Sequence, residues 1–228
     1  MQPMVTRITA VGDCNTLGAN DLLYKSYPER LGAQLGADIV NLGHTMATSR
    51  EGVLKLQHLL GEADCVIIQF GLVDSYRTFR YSPYVLYYPD NPLRKQLRSL
   101  TKKFKKTCRR LGLNRLLGEV NVVDSGEYES NLRKMVEIAQ PRLTLLLETI
   151  PNHQLERNSE IQRYNSILDA ICADYDNCYK VDIYAHFKNN MDRFYQDLTH
   201  CNSAGCEYIA AMVAQKIAAV CPKEKEGE

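Results

Sequence analysis

The sequence predicts an α/β protein, a parallel β-sheet covered by helices on both faces. Short apolar, β-rich runs alternate along the chain with longer segments whose apolar residues recur every three or four positions. One run, Cys65-Val66-Ile67-Ile68-Gln69-Phe70, is almost uninterrupted, as expected of a strand buried on both faces. Several runs also break into glycine-bearing loops: Gly12-Asp13-Cys14, Asn41-Leu42-Gly43 and Gly71-Leu72-Val73-Asp74. In a sheet of this class the carboxyl ends of the strands carry the reactive groups.

Taken in order, residues 7–12 read as the first strand. A helix follows Ser26 as N-cap, tolerates Pro28 in its first turn and stops near Gly36. Residues 37–42 make a second strand, and 49–60 a helix with Val53, Leu56, Leu59 and Leu60 on its inner side. After the Cys65 strand, a helix is expected over 125–139 with Ser125 as cap. Strands are expected over 142–149 and 178–183, with a helix over 156–175 between them. A last amphipathic helix covers 203–220. This describes one domain over 1–222, interrupted by an insertion at about 75–120 and followed by a disordered charged tail, 223–228.

The 228 residues suit one well-buried domain. A formal net charge of +1 gives no global signal for nucleic acid. No apolar run approaches the roughly 18 residues of a membrane span, and Met1 to Thr6 lacks the apolar core of a signal peptide, so a cytoplasmic protein is expected. The eight cysteines form no CxxC pair, and free thiols are expected rather than a disulfide framework. Cys201 and Cys206 beside His200 are the one conceivable metal pair, and no cofactor is called for.

The insertion is the unusual part. Tyr76 to Tyr88 is dense in aromatic residues, and Arg94 to Arg115 carries ten Lys/Arg without an acid. The rest of the chain must therefore carry about −9. Leu93, Leu97, Leu100, Phe104, Cys108 and Leu111 fall at helical spacing, predicting a basic amphipathic helix docked by its apolar stripe. Its basic face is a solvated surface or a contact for an anionic glycan or membrane surface.

Near the carboxyl terminus, Asp197 and His200 stand three residues apart. With the Cys14 loop they offer a nucleophile, a base and an orienting acid. These blocks resemble those of the SGNH (GDSL) hydrolases, in order and over nearly the whole chain. Gly12-Asp13-Cys14 stands at the family's Gly-Asp-Ser, Gly43 at its second-block glycine, Gly71-Leu72-Val73-Asp74 at Gly-x-Asn-Asp, and Asp197-Leu198-Thr199-His200 at Asp-x-x-His. Tyr164-Asn165, and Asn202 and Gly205, also fit. The resemblance implies a flavodoxin-like, five-stranded α/β/α sandwich. It also implies an esterase, deacetylase or O-acyltransferase acting on an acyl ester, with an acetylated carbohydrate or small molecule as substrate. Cys14, His200 and Asp197 would be catalytic, and the N–H groups of Cys14 and Gly43 would form the oxyanion hole.

Two departures fall on functional positions. Cys14 stands where the family has serine, and Val73 stands where its asparagine donates to the oxyanion. Cys14 is open to three readings: a thiol nucleophile, the mark of a decayed site, or an engineered replacement of serine. A catalytically impaired protein that binds an anionic glycan or membrane-associated partner is the alternative to the enzyme. Asp13, His44, Asp74, Tyr76 and Arg77 are further candidates for substrate contact, although Asp13 and Asp74 are equally placed to brace their loops. His153 and His186 have no acid at a telling spacing and are read as structural.

Overall fold

The computed structural model describes residues 5–221. Strand β1 (Arg7–Gly12) is buried from Ile8 onward and leads into a single helical turn, α1 (Cys14–Leu17), then α2 (Tyr27–Leu35). Strand β2 (Asp38–Asn41), helix α3 (Ser49–Leu59) and strand β3 (Cys65–Gln69) follow. The insertion contributes β4 (Arg77–Phe79), α4 (Pro92–Arg110), α5 (Leu113–Leu117) and β5 (Glu119–Asn121). The chain returns through α6 (Ser125–Ala139), β6 (Leu143–Leu147), α7 (Asn158–Ala173) and β7 (Cys178–Val181). It closes with α8 (Tyr184–Asn189), α9 (Met191–Phe194) and α10 (Ser203–Val220).

The main sheet has the order β2-β1-β3-β6-β7, and every neighbouring pair is parallel. Alternation along the strands divides the core in two. Ile8, Ala10, Cys65 and Ile67 face α2 and α10, where Leu31, Ile209 and Val213 meet them. Val11, Val66 and Ile68 face α3, α6 and α7, where Leu56, Leu132, Met135 and Leu168 meet them. Burying each such side chain is worth about 1.5–3 kcal/mol, so the apolar runs hold both helical layers to the sheet. The result is the three-layer α/β/α sandwich. Its strand order turns between β1 and β3, which opens a crevice at their carboxyl ends. Cys14 sits there, two residues beyond β1.

Several boundaries differ from expectation for identifiable reasons. Ser26 does occupy the N-cap of α2, but its hydroxyl donates to the Thr16 carbonyl rather than capping, and so ties α2 to α1. The cap of α6 is Asp124 rather than Ser125, its carboxylate accepting the N–H groups of Gly126 and Glu127 at 3.0 Å each. The helix expected over 156–175 begins as a 3₁₀ turn, Leu155–Arg157, before α7. Strands β2, β6 and β7 are each shorter than their apolar runs.

The insertion departs most. Its entry and exit pair as the antiparallel ladder β4–β5, with Arg77 opposite Asn121 and Phe79 opposite Glu119. α4 begins at Asn91, whose side chain accepts the Arg94 N–H, and Pro92 occupies its first turn. The helix does not dock by its leucine stripe. Leu93, Leu100, Phe104 and Leu111 are more than half exposed, whereas Arg98 and Cys108 are buried. Phe104 keeps one edge-on contact, with Phe79. Of its basic residues only Arg98 is buried, Arg94 and Lys105 are partly covered, and the others stay exposed. The tail 223–228 lies outside the described residues. No helix among them is long and apolar enough to cross a membrane.

Candidate active site

Asp13 caps the α1 turn by accepting the Asn15 N–H at 2.9 Å, and this presents Cys14 as the first helical residue. Cys14 is 6% exposed and packs with Leu72, Ile161, Tyr184 and the partly buried Tyr76. Burial, followed by the negative charges of Asp13 and Asp197, holds its thiol well above the ordinary value of 9.0. A standing thiolate is therefore disfavoured.

The acid–histidine pair is formed: His200 Nδ1 and Asp197 Oδ2 are 2.7 Å apart. Asp197 Oδ1 accepts the backbone N–H groups of Thr199 and His200 at 2.8 Å each. Burial works to raise this carboxyl, but the His200 ring and those two N–H groups bring it down to about 2. An ionised carboxylate on Nδ1 keeps the proton there and leaves Nε2 as the basic nitrogen. Asn15 fixes this loop against α1: its Nδ2 donates to the Thr199 carbonyl, and its Oδ1 accepts the Cys201 N–H, both at 3.2 Å. Sequence reasoning missed Asn15, because a clamp between residues nearly the full chain apart has no local signature. Among the described residues no hydrogen bond joins Cys14 to His200.

The expected oxyanion donors are in unequal condition. The Cys14 N–H opens a helix and has no carbonyl partner within it. The Gly43 N–H donates to Asn41 Oδ1 at 2.8 Å. That amide is itself pinned, since Asn41 Nδ2 donates to the Thr16 carbonyl and to Glu29. Position 43 must be glycine, because a Cβ there would lie 2.4 Å from the Leu17 nitrogen. Val73 is buried and donates nothing from its side chain.

Three of the further candidates belong to the scaffold. Asp74 is fully buried and accepts from the Ser49 N–H and hydroxyl and from the Gly71 N–H, which leaves it no face toward a substrate. Asp13 is likewise enclosed. Arg77 pairs with Glu119 and Glu160 at 3.6 and 3.5 Å and does not line the cavity described next. Tyr76 does line it, under the Arg157 guanidinium, and His44 stands 5.6 Å from the ring of Tyr87, another lining residue. This cavity, about 430 Å³, lies between α4 and the loops bearing Met46, Val73, Tyr76 and Tyr84. All eight cysteines are free thiols, Cys201 and Cys206 lying 3.3 Å apart. No cluster of three metal-binding side chains occurs among the described residues.

Asp13 makes a measurable prediction. Burial, offset in part by the Asn15 N–H and reinforced by the charge of Asp74, raises its carboxyl from 3.8 to about 7. Between those values the folded protein binds more protons than the unfolded chain, so stability falls as pH rises. The cost at pH 8 is of order 4 kcal/mol. Asp13→Asn keeps the acceptor for Asn15 and removes the charge. It should raise the melting temperature at pH 8 and flatten its fall between pH 4 and pH 7. Parallel pH profiles for the two proteins would show that Asp13 is not the titrating group.

A parallel sheet with a cysteine at its switch point and an Asp–His pair on the facing loop defines an α/β protein of the hydrolase kind. The chain belongs to the GDSL-like lipase/acylhydrolase family, whose model matches residues 10–208. No curated protein matches the chain. Among solved structures it is similar to a lipase/acylhydrolase from Enterococcus faecalis, with 17% identity and a TM-score of 0.65 over 96% of this chain and 99% of that one. It is also similar to a catalytic mutant of an acetylxylan esterase from Geobacillus stearothermophilus, with 18% identity and a TM-score of 0.61 over 98% of each chain. LAE5, a hydrolase from the metagenome of Lake Arreo, Spain, shares 18% identity, with a TM-score of 0.62 over 96% of this chain and 97% of that one. At these identities the structural likeness speaks for the fold.

Proposed function

We propose that the protein is a carboxylic ester hydrolase or acyltransferase in which Cys14 attacks the acyl carbonyl of an acetyl-type ester. The bond formed is Sγ–C, and the thiol proton passes to His200 Nε2. Collapse of the tetrahedral adduct breaks the ester C–O bond, and the same proton protonates the departing alkoxide. Water or an acceptor alcohol then takes the acyl group from sulfur, with His200 as base again. Asp197 holds the imidazole and balances its charge when protonated. The observation that carries this reading is the 2.7 Å Asp197–His200 contact on a loop clamped by Asn15 to the Cys14 turn.

An acetylated carbohydrate is the substrate class we favour. The tyrosine wall of the cavity suits sugar rings, and one structurally similar protein is described as an acetylxylan esterase. A cytoplasmic setting belongs to the same reading. The open leucine stripe of α4, flanked by lysines, would also permit reversible attachment to an anionic bilayer.

Three observations favour a second reading, an impaired site that binds but scarcely turns over: the high thiol, Val73, and the engagement of the Gly43 N–H by Asn41. Incubation with 4-nitrophenyl acetate, followed by intact mass and nitrophenolate release, separates the two. An acetyl adduct on Cys14 that is absent from Cys14→Ala and slowed in His200→Ala is expected of the enzyme. No adduct and no turnover in any form, Cys14→Ser included, would leave the binding protein.

A further inference from the structure

α4 leaves its leucines toward solvent and buries Arg98, with Lys105 partly covered, while Lys102, Lys106 and Arg109 stay exposed around the cavity beneath the helix. Arg98, Lys102, Lys105, Lys106 and Arg109 all line the cavity beneath it, and no Asp or Glu does. Of the five, only Arg98 forms an ion pair among the described residues, with Asp90. Lys102 and Lys105 lie 5.9 and 5.8 Å from the ring centroids of Tyr87 and Tyr84 instead. Lys105 is held below its ordinary value of 10.5, first by burial and then by the charges of Arg109 and Arg50. The carboxylate behind this wall, Glu51, is wholly buried and already accepts from Thr48, the Tyr84 hydroxyl and the Tyr87 N–H. The cavity thus concentrates positive charge that the protein leaves uncompensated.

The same cavity adjoins the packing around Cys14, although neither Cys14 nor His200 lines it. Val73 forms part of its wall, and Tyr76 lines it while packing in the cluster that contains Cys14. Its volume, about 430 Å³, lies within the range of small-molecule sites. We propose that this cavity holds a phosphate or carboxylate group of the substrate, so that the ester presented to Cys14 belongs to an acylated anion rather than to a neutral sugar. The inference rests on the acyl-ester reading for what happens at Cys14, but not for the binding itself.

Calorimetric titration of the full chain with glucose 6-phosphate, glucuronate and glucose tests it. The first two should bind and glucose should not, and the stronger of the two identifies the favoured anion. Raising the salt from about 0.01 to about 0.15 M shortens the screening length from about 30 to about 8 Å, so affinity should fall. Lys102→Gln/Lys105→Gln should weaken binding about tenfold or more. Lys102→Arg/Lys105→Arg should retain it, and Lys134→Gln on α6 should leave it unchanged. Equal affinity for glucose and the two anions, or anion binding indifferent to Lys102→Gln/Lys105→Gln, would overturn the proposal. Binding is read without turnover, so the two readings fail separately. Anion binding without an acyl adduct removes the enzyme and keeps the site, and an adduct without anion binding does the reverse.

Discussion

Replacing His200 by alanine should slow acylation of Cys14 by an activated acetyl ester about 10²- to 10⁴-fold, the usual worth of a positioned general base. The size of the effect follows from the state of the thiol. Burial and the negative charges of Asp13 and Asp197 hold Cys14 well above its ordinary range, so at neutral pH the group is almost entirely SH. A nucleophile that is not ionised at rest must lose its proton during attack, and the base with an orienting carboxylate is His200. A pH profile adds a sharper signature than the rate alone. With His200 present to take the proton, acylation should not track the ionised fraction of the thiol. In His200→Ala only the thiolate reacts, so the rate should climb about tenfold per pH unit through the neutral range and beyond, in proportion to the ionised fraction. Stopped-flow release of nitrophenolate measures both. An unchanged rate and profile in His200→Ala would mean that Cys14 reacts without this base.

The contrast between what was legible in the sequence and what was not has a physical basis. The main sheet could be read because β-rich runs such as Val66-Ile67-Ile68 must be covered on both faces, and few arrangements other than a doubly wound sheet cover them. The Asp197–His200 pair was legible because both residues lie in one short loop, where spacing fixes geometry. The clamp by Asn15 was not, since it joins residues 184 and 186 positions apart. Nor was the engagement of the Gly43 N–H, which depends on how Asn41 is pinned by Thr16 and Glu29. The orientation of α4 misled for a different reason. Helical periodicity locates an apolar stripe but does not say which way it faces, and here the buried Arg98, which donates to the Leu86 carbonyl and pairs with Asp90, faces inward. Arg77 was a candidate for substrate contact, yet β4 points it at Glu119 and Glu160.

Val73→Asn should raise kcat/KM toward 4-nitrophenyl acetate by about 100- to 1,000-fold, the worth of one oxyanion donor. Position 73 is buried and forms part of the cavity wall, so an amide there would sit in a site that excludes most water. Its N–H would join a hole that otherwise relies on the Cys14 N–H, because the Gly43 N–H is already held by Asn41. Until an oxyanion forms, the new amide lacks a charged partner, and burying it should cost about 1–3 kcal/mol of stability. A lower melting temperature with a higher rate is therefore the expected pattern. No gain in rate, with the fold intact, would mean that an ester carbonyl does not reach this wall. Combining the change with Cys14→Ser makes the outcome diagnostic of the thiol. If Val73→Asn accelerates the Cys14 protein as much as the Cys14→Ser protein, sulfur is a working nucleophile whose oxyanion hole is merely poor. If only the serine form responds, the scaffold is still tuned to a hydroxyl, and Cys14 marks a site from which the original chemistry has been withdrawn.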